Sequence, residues 1–202
     1  MNKKNILILI LLITPVLMMA QFKVDLSLNP GITKTTSDGF SGPGDNKLGF
    51  SFQGGFDANY MFSEKVGIGT GVYYTYSESK WKYPVSMDQS SNAISIPLNL
   101  IYRFNSSIIE MLLGAVVNIS LNEKVASSSG SKYEYKSFYT SLKLGCFYKF
   151  NDKLKLGIIA DAGISPYFEI TPVNAVPEYA APVEKLLLQS LGIRINYTLF
   201  GK

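Results

Sequence analysis

The chain has 202 residues, a formal net charge of +4 and no histidine. Histidine is the commonest general base and the commonest metal ligand in proteins, so Ser-His-Asp and Cys-His nucleophilic sites and histidine-containing zinc sites are excluded. The single cysteine, Cys146, excludes an intrachain disulfide. No run of like charges points to nucleic-acid binding, whereas an enzyme that works through paired carboxylates stays possible.

The first segment, residues 1–20, has the pattern of a secretory signal peptide. Two lysines precede a short apolar run, and the segment ends on a small residue, Ala20. A transmembrane helix is the alternative, but Pro15 interrupts an apolar run that is shorter than the about 20 residues a span needs. The sequence therefore predicts a cleaved segment 1–20 and one mature domain, residues 21–202.

After this segment, apolar and other residues alternate with a period of two, which is the signal of a β-strand. In the second strand, for example, Phe50, Phe52 and Phe56 alternate with polar or small residues. No part of the mature chain has a convincing helical stripe of apolar residues. Eight strands are predicted, at Phe22–Asn29, Phe50–Phe62, Val66–Ser77, Ile94–Phe104, Ile109–Ile119, Thr140–Phe150, Leu154–Ser165 and Ser190–Leu199.

The predicted connections alternate between short and long. An even number of antiparallel strands with this pattern forms an up-and-down barrel, because the last strand can pair with the first and remove both sheet edges. The short turns are Ser63–Lys65, Asn105–Ser107 and Asn151–Lys153, and the long Gly-, Ser- and Pro-rich loops are about Thr33–Leu48, Glu78–Ser91, Asn122–Glu134 and Thr171–Glu184.

Alternation alone does not say which face of the barrel is inside. A soluble barrel would place the apolar face inside, and a membrane barrel would place it outside. The strands are long enough to cross a membrane at a tilt. The polar face is rich in glycines, which make room for longer side chains in an interior as narrow as that of eight strands. Both observations favour the membrane barrel.

Aromatic pairs give the third argument for a membrane barrel. A Tyr-x-Phe pair precedes each short turn, on the apolar face, so the antiparallel strands bring the pairs to one end of the barrel. Transmembrane barrels carry such aromatic girdles at the lipid interface. We therefore predict an all-β fold, an eight-stranded antiparallel up-and-down transmembrane β-barrel with short periplasmic turns and long extracellular loops. Its periplasmic girdle is Tyr60, Phe62, Tyr102, Phe104, Tyr148, Phe150 and Tyr197.

The polar face also carries charges of both signs, which a narrow lumen would have to pair because unpaired buried charge is costly. Glu110 and Asp57 are expected within salt-bridge distance of Arg103, Lys143 or Arg194, so that ion pairs plug the barrel. The predicted network is Asp57, Arg103, Glu110, Lys143, Asp161 and Arg194. The same face holds Asp25, Lys23, Lys149 and Lys155.

At this point the mature chain resembles a family, the PorT-like outer-membrane β-barrel proteins of Gram-negative bacteria. The resemblance rests on "GFSFQGGFDANYMF", "KVGIGTGVYYTYS", "ISIPLNLIYRF" and "KLKLGIIADAGISPYF". It implies location in the cell outer membrane and insertion by the outer-membrane assembly machinery, which tends to read a final strand that ends in an aromatic residue. Phe200 lies near the end of the chain, but on the opposite parity from Tyr197 and Leu199.

Four functions remain open. The favoured one is a non-catalytic structural or interaction protein, without a cofactor, that contacts outer-membrane lipid and a possible protein partner at its extracellular loops, and no nucleic acid. The resemblance implies the alternative of an accessory component in protein secretion or outer-membrane assembly. A membrane enzyme using Asp57, Glu110 or Asp161 is disfavoured because lumen ion pairs explain these carboxylates better. A porin is disfavoured because eight strands fill their own interior, which leaves at most a narrow pore.

Overall fold

A computed structural model of the chain describes residues 21–38, 48–81, 87–104, 108–121, 125–128, 131–172 and 184–201. The predicted signal peptide, residues 1–20, and the predicted turn at 105–107 lie outside the described residues. No helix in these described ranges is long and apolar enough to cross a membrane.

The described residues form one antiparallel sheet that closes on itself. The strands are β1 (Gln21–Asp38), β2 (Gly49–Met61), β3 (Val66–Trp81), β4 (Met87–Arg103), β5 (Ile109–Ser120), β6 (Val125–Ser128), β7 (Ser131–Tyr135), β8 (Phe138–Lys149), β9 (Leu154–Gly163), β10 (Phe168–Pro172) and β11 (Glu184–Gly201). The order β1-β2-β3-β4-β5-β8-β9-β11 is closed by pairing of β11 with β1. These eight strands confirm the predicted up-and-down barrel.

The inner and outer faces of the barrel wall carry the kinds of residue that a membrane barrel requires. Inward-facing Asp25, Lys143 and Arg194 are fully buried, whereas outward-facing Leu98 and Ile158 are 66% and 60% exposed. A soluble barrel would show the opposite arrangement, since burial of apolar area is what stabilises a core in water. The apolar outer face therefore suits a lipid environment, and the polar face forms the lumen.

Several strands are longer than the sequence predicted, and this corrects the predicted loop bounds, whereas β9 ends at Gly163, before the predicted Ser165. β1 continues through Thr33–Asp38, which pairs with β11, and β3 and β4 continue their ladder to Trp81 and Met87. β6 and β7 lie within the predicted loop Asn122–Glu134, and β10 ends within Thr171–Glu184. The alternation of apolar residues stops where the outer face of the barrel meets water instead of lipid. The backbone hydrogen bonds do not depend on the side chains, so the strands continue.

The short turns lie at one end of the barrel and are closed by backbone hydrogen bonds. The amide of Phe62 donates to the carbonyl of Val66 at 2.9 Å, and the amide of Phe150 donates to the carbonyl of Leu154 at 3.0 Å. In the last of these turns the side chain of Asn151 also accepts hydrogen bonds from two following amides. Such Asx turns explain why polar residues break the alternation here.

A β-bulge near the end of β11 explains why Phe200 faces outward. β11 pairs Thr198 with Asp25 and Phe200 with Val24, so Leu199 is the extra residue. Leu199 and Phe200 consequently both face outward, at 47% and 58% exposure. The bulge thus returns Phe200 to the lipid-facing side, where simple alternation would have turned it inward.

Candidate functional site

The lumen holds the densest group of chemically distinctive side chains in the described part of the chain. Its middle is organised around Asp57 on β2. The hydroxyls of Ser27 and Tyr73 both donate hydrogen bonds to the Asp57 carboxylate. Arg194 Nη1 on β11 lies 3.9 Å from Asp57 Oδ2. The pair reaches over β1, which lies between β2 and β11 in the wall.

Two cations lie over the Tyr73 ring. The guanidinium carbon of Arg194 is 4.6 Å from the ring centroid, and the ammonium of Lys143 is 5.2 Å from it. Both distances are within the range of a cation–π interaction, which is strengthened where the cation is removed from water. All three side chains are fully buried. Together they fill the cross-section of the barrel at this level.

Lys143 has a carboxylate partner on the neighbouring strand. Its ammonium lies 3.5 Å from Asp161 Oδ1, and the two residues are direct cross-strand partners in β8 and β9. The other oxygen of Asp161 accepts hydrogen bonds from Ser190 at 3.4 Å and from Gln53 at 3.5 Å. The Lys143–Asp161 pair therefore lies beside the Tyr73 cluster and extends it toward the extracellular side.

A second group of ion pairs lies nearer the short turns. Arg103 Nε donates to Glu110 Oε2 at 2.9 Å, and Lys155 Nζ donates to Glu110 Oε1 at 3.1 Å. Lys155 also lies 3.3 Å from Asp25 Oδ2. Asp25 accepts further hydrogen bonds from the side chains of Asn59 at 3.1 Å and Thr198 at 2.7 Å. One lysine thus bridges two buried carboxylates.

The six residues of the predicted network are all in the lumen, but in more than one group. Glu110 is within salt-bridge distance of Arg103, and Asp57 of Arg194. The remaining two, Lys143 and Asp161, contact each other. The prediction did not include the bridging residue, Lys155, although its parity placed it on the same face.

Tyr73 is the functional residue that sequence reasoning missed. A Cβ atom on Gly55, directly across from it in β2, would come within 2.8 Å of the Tyr73 ring, and one on Gly71 within 3.2 Å. The glycines therefore create the space that the ring occupies. The available signal was a large residue of inward parity directly after glycines of the same parity, as in "GTGVYYTYS".

An aromatic cluster closes the extracellular end of the lumen. Tyr139, Tyr167 and Phe168 are each at most 5% exposed, and they pack with Ala93 and Leu186. Between this cluster and Tyr73 lies a polar cavity of about 30 Å³, lined by residues such as Thr75, Ser77, Asn118 and Ser141. A cavity of that size holds a water molecule or two and no larger ligand.

The predicted girdle residues lie on the outer face at the short-turn end. Each Tyr-x-Phe pair makes an edge-to-face contact, with ring centroids 5.2 Å apart in Tyr60–Phe62 and in Tyr102–Phe104. The third pair, Tyr148–Phe150, has centroids 5.0 Å apart. Tyr197 on β11 is 44% exposed on the same face.

The lumen carboxylates are the candidates for acid–base chemistry or metal binding in the described part of the chain. The described ranges contain no group of three or more cysteine, aspartate or glutamate side chains that could hold a metal ion. Each buried lumen carboxylate is engaged by a cation within 4 Å, which is the arrangement of structural ion pairs. At the surface, a hydrogen bond from Lys149 lowers the pKa of Asp152 below its usual value.

Several solved outer-membrane proteins have a similar shape. OprG from Pseudomonas aeruginosa is 15% identical over 87% of this chain and 96% of its own, with a TM-score of 0.47. Neisserial surface protein A is 18% identical over 87% of this chain and 97% of its own, with a TM-score of 0.44. Ail from Yersinia pestis is 13% identical over 89% of this chain and 100% of its own, with a TM-score of 0.45.

A search of curated proteins finds no significant match. The family assignment comes instead from the sequence model of the outer membrane protein beta-barrel domain, which matches residues 6–167. That range holds seven of the eight barrel strands, and the closed barrel with an apolar outer face agrees with it. The chain therefore belongs to the outer membrane protein beta-barrel domain family and is a protein of the cell outer membrane.

Proposed function

We propose that this protein is a non-catalytic outer-membrane barrel that acts as a structural or interaction protein through its extracellular side. The observation that carries the proposal is the filled lumen. Tyr73, Arg194 and Lys143 are each fully buried at its middle, and the Tyr139 cluster closes the space above them. A barrel without a through-channel for solutes presents its surfaces to partners instead.

The extracellular side supports this proposal because the wall continues there as sheet. β6, β7 and β10 extend the barrel order beyond β11, and β3 with β4 forms a separate extension up to Trp81 and Met87. Ordered strands beyond the hydrocarbon layer fix the points at which the chain segments between them begin and end, and rigid supports of this kind suit binding loops. The partner we propose is a protein that contacts these segments.

The test exchanges one loop and leaves the barrel intact. Residues 173–182, which lie outside the described residues, are replaced by a glycine-serine linker of equal length. We expect unchanged barrel stability in urea and loss of partner capture from intact cells. The matched control replaces Asn151–Lys153 at the opposite end. Capture that survives the loop exchange, or is lost equally in the control, contradicts the proposal.

A second candidate is an accessory role in protein secretion or outer-membrane assembly, as in PorT-like proteins. It is favoured by the sequence segments quoted above and uses the same barrel. A stable complex with an export component after gentle detergent extraction would support it. Extraction of the protein alone, under conditions that preserve a known outer-membrane complex from the same cells, would count against it.

We further propose that the aromatic pairs anchor the barrel at the periplasmic lipid interface, and that the outer-membrane assembly machinery inserts it. Aromatic rings suit this interface because they present an apolar body and a polar tip. For Tyr102 and Phe104 we expect a coupling energy of about 0.5–1.5 kcal/mol, the usual value for an aromatic pair. A double-mutant cycle with alanine at both positions, measured by urea unfolding in lipid vesicles, tests this. A coupling energy of zero would contradict the paired anchor.

A further inference from the structure

Four cationic side chains lie at the end of the lumen that opens toward the short turns. We call Lys23, Arg103, Lys149 and Lys155 the basic cluster. Arg103 and Lys149 are placed at turn level, because their amides donate to the carbonyls of Lys65 and Ile108 in the adjacent turns. Lys149 and Lys155 are direct cross-strand partners in β8 and β9. Lys23 is on the lumen face of β1, two residues before Asp25, the carboxylate that Lys155 contacts at 3.3 Å.

The carboxylates at this end are already engaged by other groups. Lys155 lies between Asp25 and Glu110, and Glu110 also accepts from Arg103 Nε. Asp25 further accepts from Asn59 and Thr198. Lys149 reaches Asp152, whose side chain is 94% exposed. These contacts use every buried acid at this level in the described ranges.

Lys23 is left without a partner. It is only 6% exposed, and in the described part of the chain its ammonium makes no hydrogen bond or ion pair. The Lys23 ammonium itself reaches solvent at the mouth of the lumen, so an ion in solution can approach it. Like charges placed opposite each other in a sheet, as Lys149 and Lys155 are, destabilise it. A bound anion compensates the excess positive charge of the basic cluster.

We propose that the basic cluster binds a phosphate group at the periplasmic mouth of the lumen, through Lys23, Arg103 and Lys149. Phosphate offers several strong acceptor oxygens, which suits a set of donors that approach from different strands. Arg103 donates to Glu110 through its Nε atom, and its terminal nitrogens make no hydrogen bond in the described ranges, so they are available as donors. A free phosphate in the periplasm and the head group of an inner-leaflet phospholipid carry this same chemistry. The site lies at the opposite end from the extracellular face.

Two arms of one experiment test the proposal and separate the two sources. The full-length folded barrel is titrated with inorganic phosphate in zwitterionic detergent, and lipid retention is measured by native mass spectrometry after exposure to phosphatidylglycerol. We expect saturable binding in at least one arm, weakened about tenfold in Lys23→Gln, as for the loss of one charge-assisted hydrogen bond. Binding in the first arm alone identifies free phosphate, and retention in the second alone identifies the lipid.

Two further lysine variants accompany Lys23→Gln, one as a control and one as a second test of the basic cluster. Lys34→Gln removes an exposed lysine on the outer face of the same strand, toward the extracellular end, and is expected to change neither arm. Lys23→Gln is expected to refold with an unchanged or higher urea midpoint in phosphate-free buffer, because it removes a cation that lacks a partner. Lys149→Gln gives an independent second variant, with weakened binding. Absence of binding in both arms, binding unchanged in Lys23→Gln, or failure of that variant to refold would each overturn the proposal.

Discussion

An Asp57→Ala variant is expected to lose about 3–5 kcal/mol of unfolding free energy, the typical cost of removing one partner of a buried ion pair. Arg194 is then left fully buried with no carboxylate within 4 Å among the described residues. The hydroxyls of Ser27 and Tyr73 lose their acceptor at the same time. Urea unfolding of the refolded barrel in lipid vesicles measures the loss by linear extrapolation.

Two further variants make this prediction specific to the ion pair. Adding Arg194→Leu to Asp57→Ala should recover part of the loss, because the uncompensated charge is gone. Asp152→Asn, at an exposed carboxylate in the last short turn, should leave the urea midpoint unchanged. If Asp57→Ala is as stable as the parent, the Asp57–Arg194 pair does not contribute to the stability of the barrel.

The second large effect is expected from Gly157→Ala on β9. A Cβ atom at this position would lie 2.5 Å from the Cys146 carbonyl oxygen and 2.5 Å from Cδ1 of Phe147. The carbonyl belongs to the neighbouring strand and cannot move without shifting the ladder. We therefore expect a loss of about 1–3 kcal/mol, as for other overpacked cores.

Gly145→Ala is the matched control for this steric argument, because it lies beneath the same Phe147 ring. There a Cβ atom would meet only side-chain atoms, at 3.0 Å from Phe147 and 3.3 Å from Ile159. The reduced entropy of the unfolded chain offsets such a small displacement, so a change near zero is expected. Equal losses in the two variants would show that the lumen tolerates no side chain at either position, and that the backbone contact at Gly157 is unimportant.

The sequence was sufficient for the barrel and for the direction of its faces. Side-chain parity separates the two faces, and strand length, the glycines of the polar face and the aromatic pairs place the apolar face outside. Parity placed Asp57, Lys143 and Arg194 inside and Phe56 and Leu98 outside, and the structure agrees. Pairs on adjacent strands joined by a short turn, such as Arg103 with Glu110, also follow from the turn register.

Other features depend on geometry that alternation does not encode. Asp57 meets Arg194 across β1, and Lys155 reaches both Asp25 and Glu110, so these contacts depend on the stagger of the strands around the barrel. The bulge at Leu199 changes parity within a strand. The extension of β1, Thr33–Asp38, carries no apolar alternation, so parity gave no signal that the strand continues there.

The lumen ion pairs have a consequence for the order in which the chain folds. Asp25 accepts a hydrogen bond from Thr198, which is 173 residues away, and Asp57 accepts one from Asn196, which is 139 residues away. These contacts join the first two strands to the last one, so they form only when the barrel closes. Because contacts this distant in sequence must wait for the whole chain, closure should be the slow and cooperative step. A partly built sheet would carry its charges unpaired, and only the complete protein can withdraw them from water.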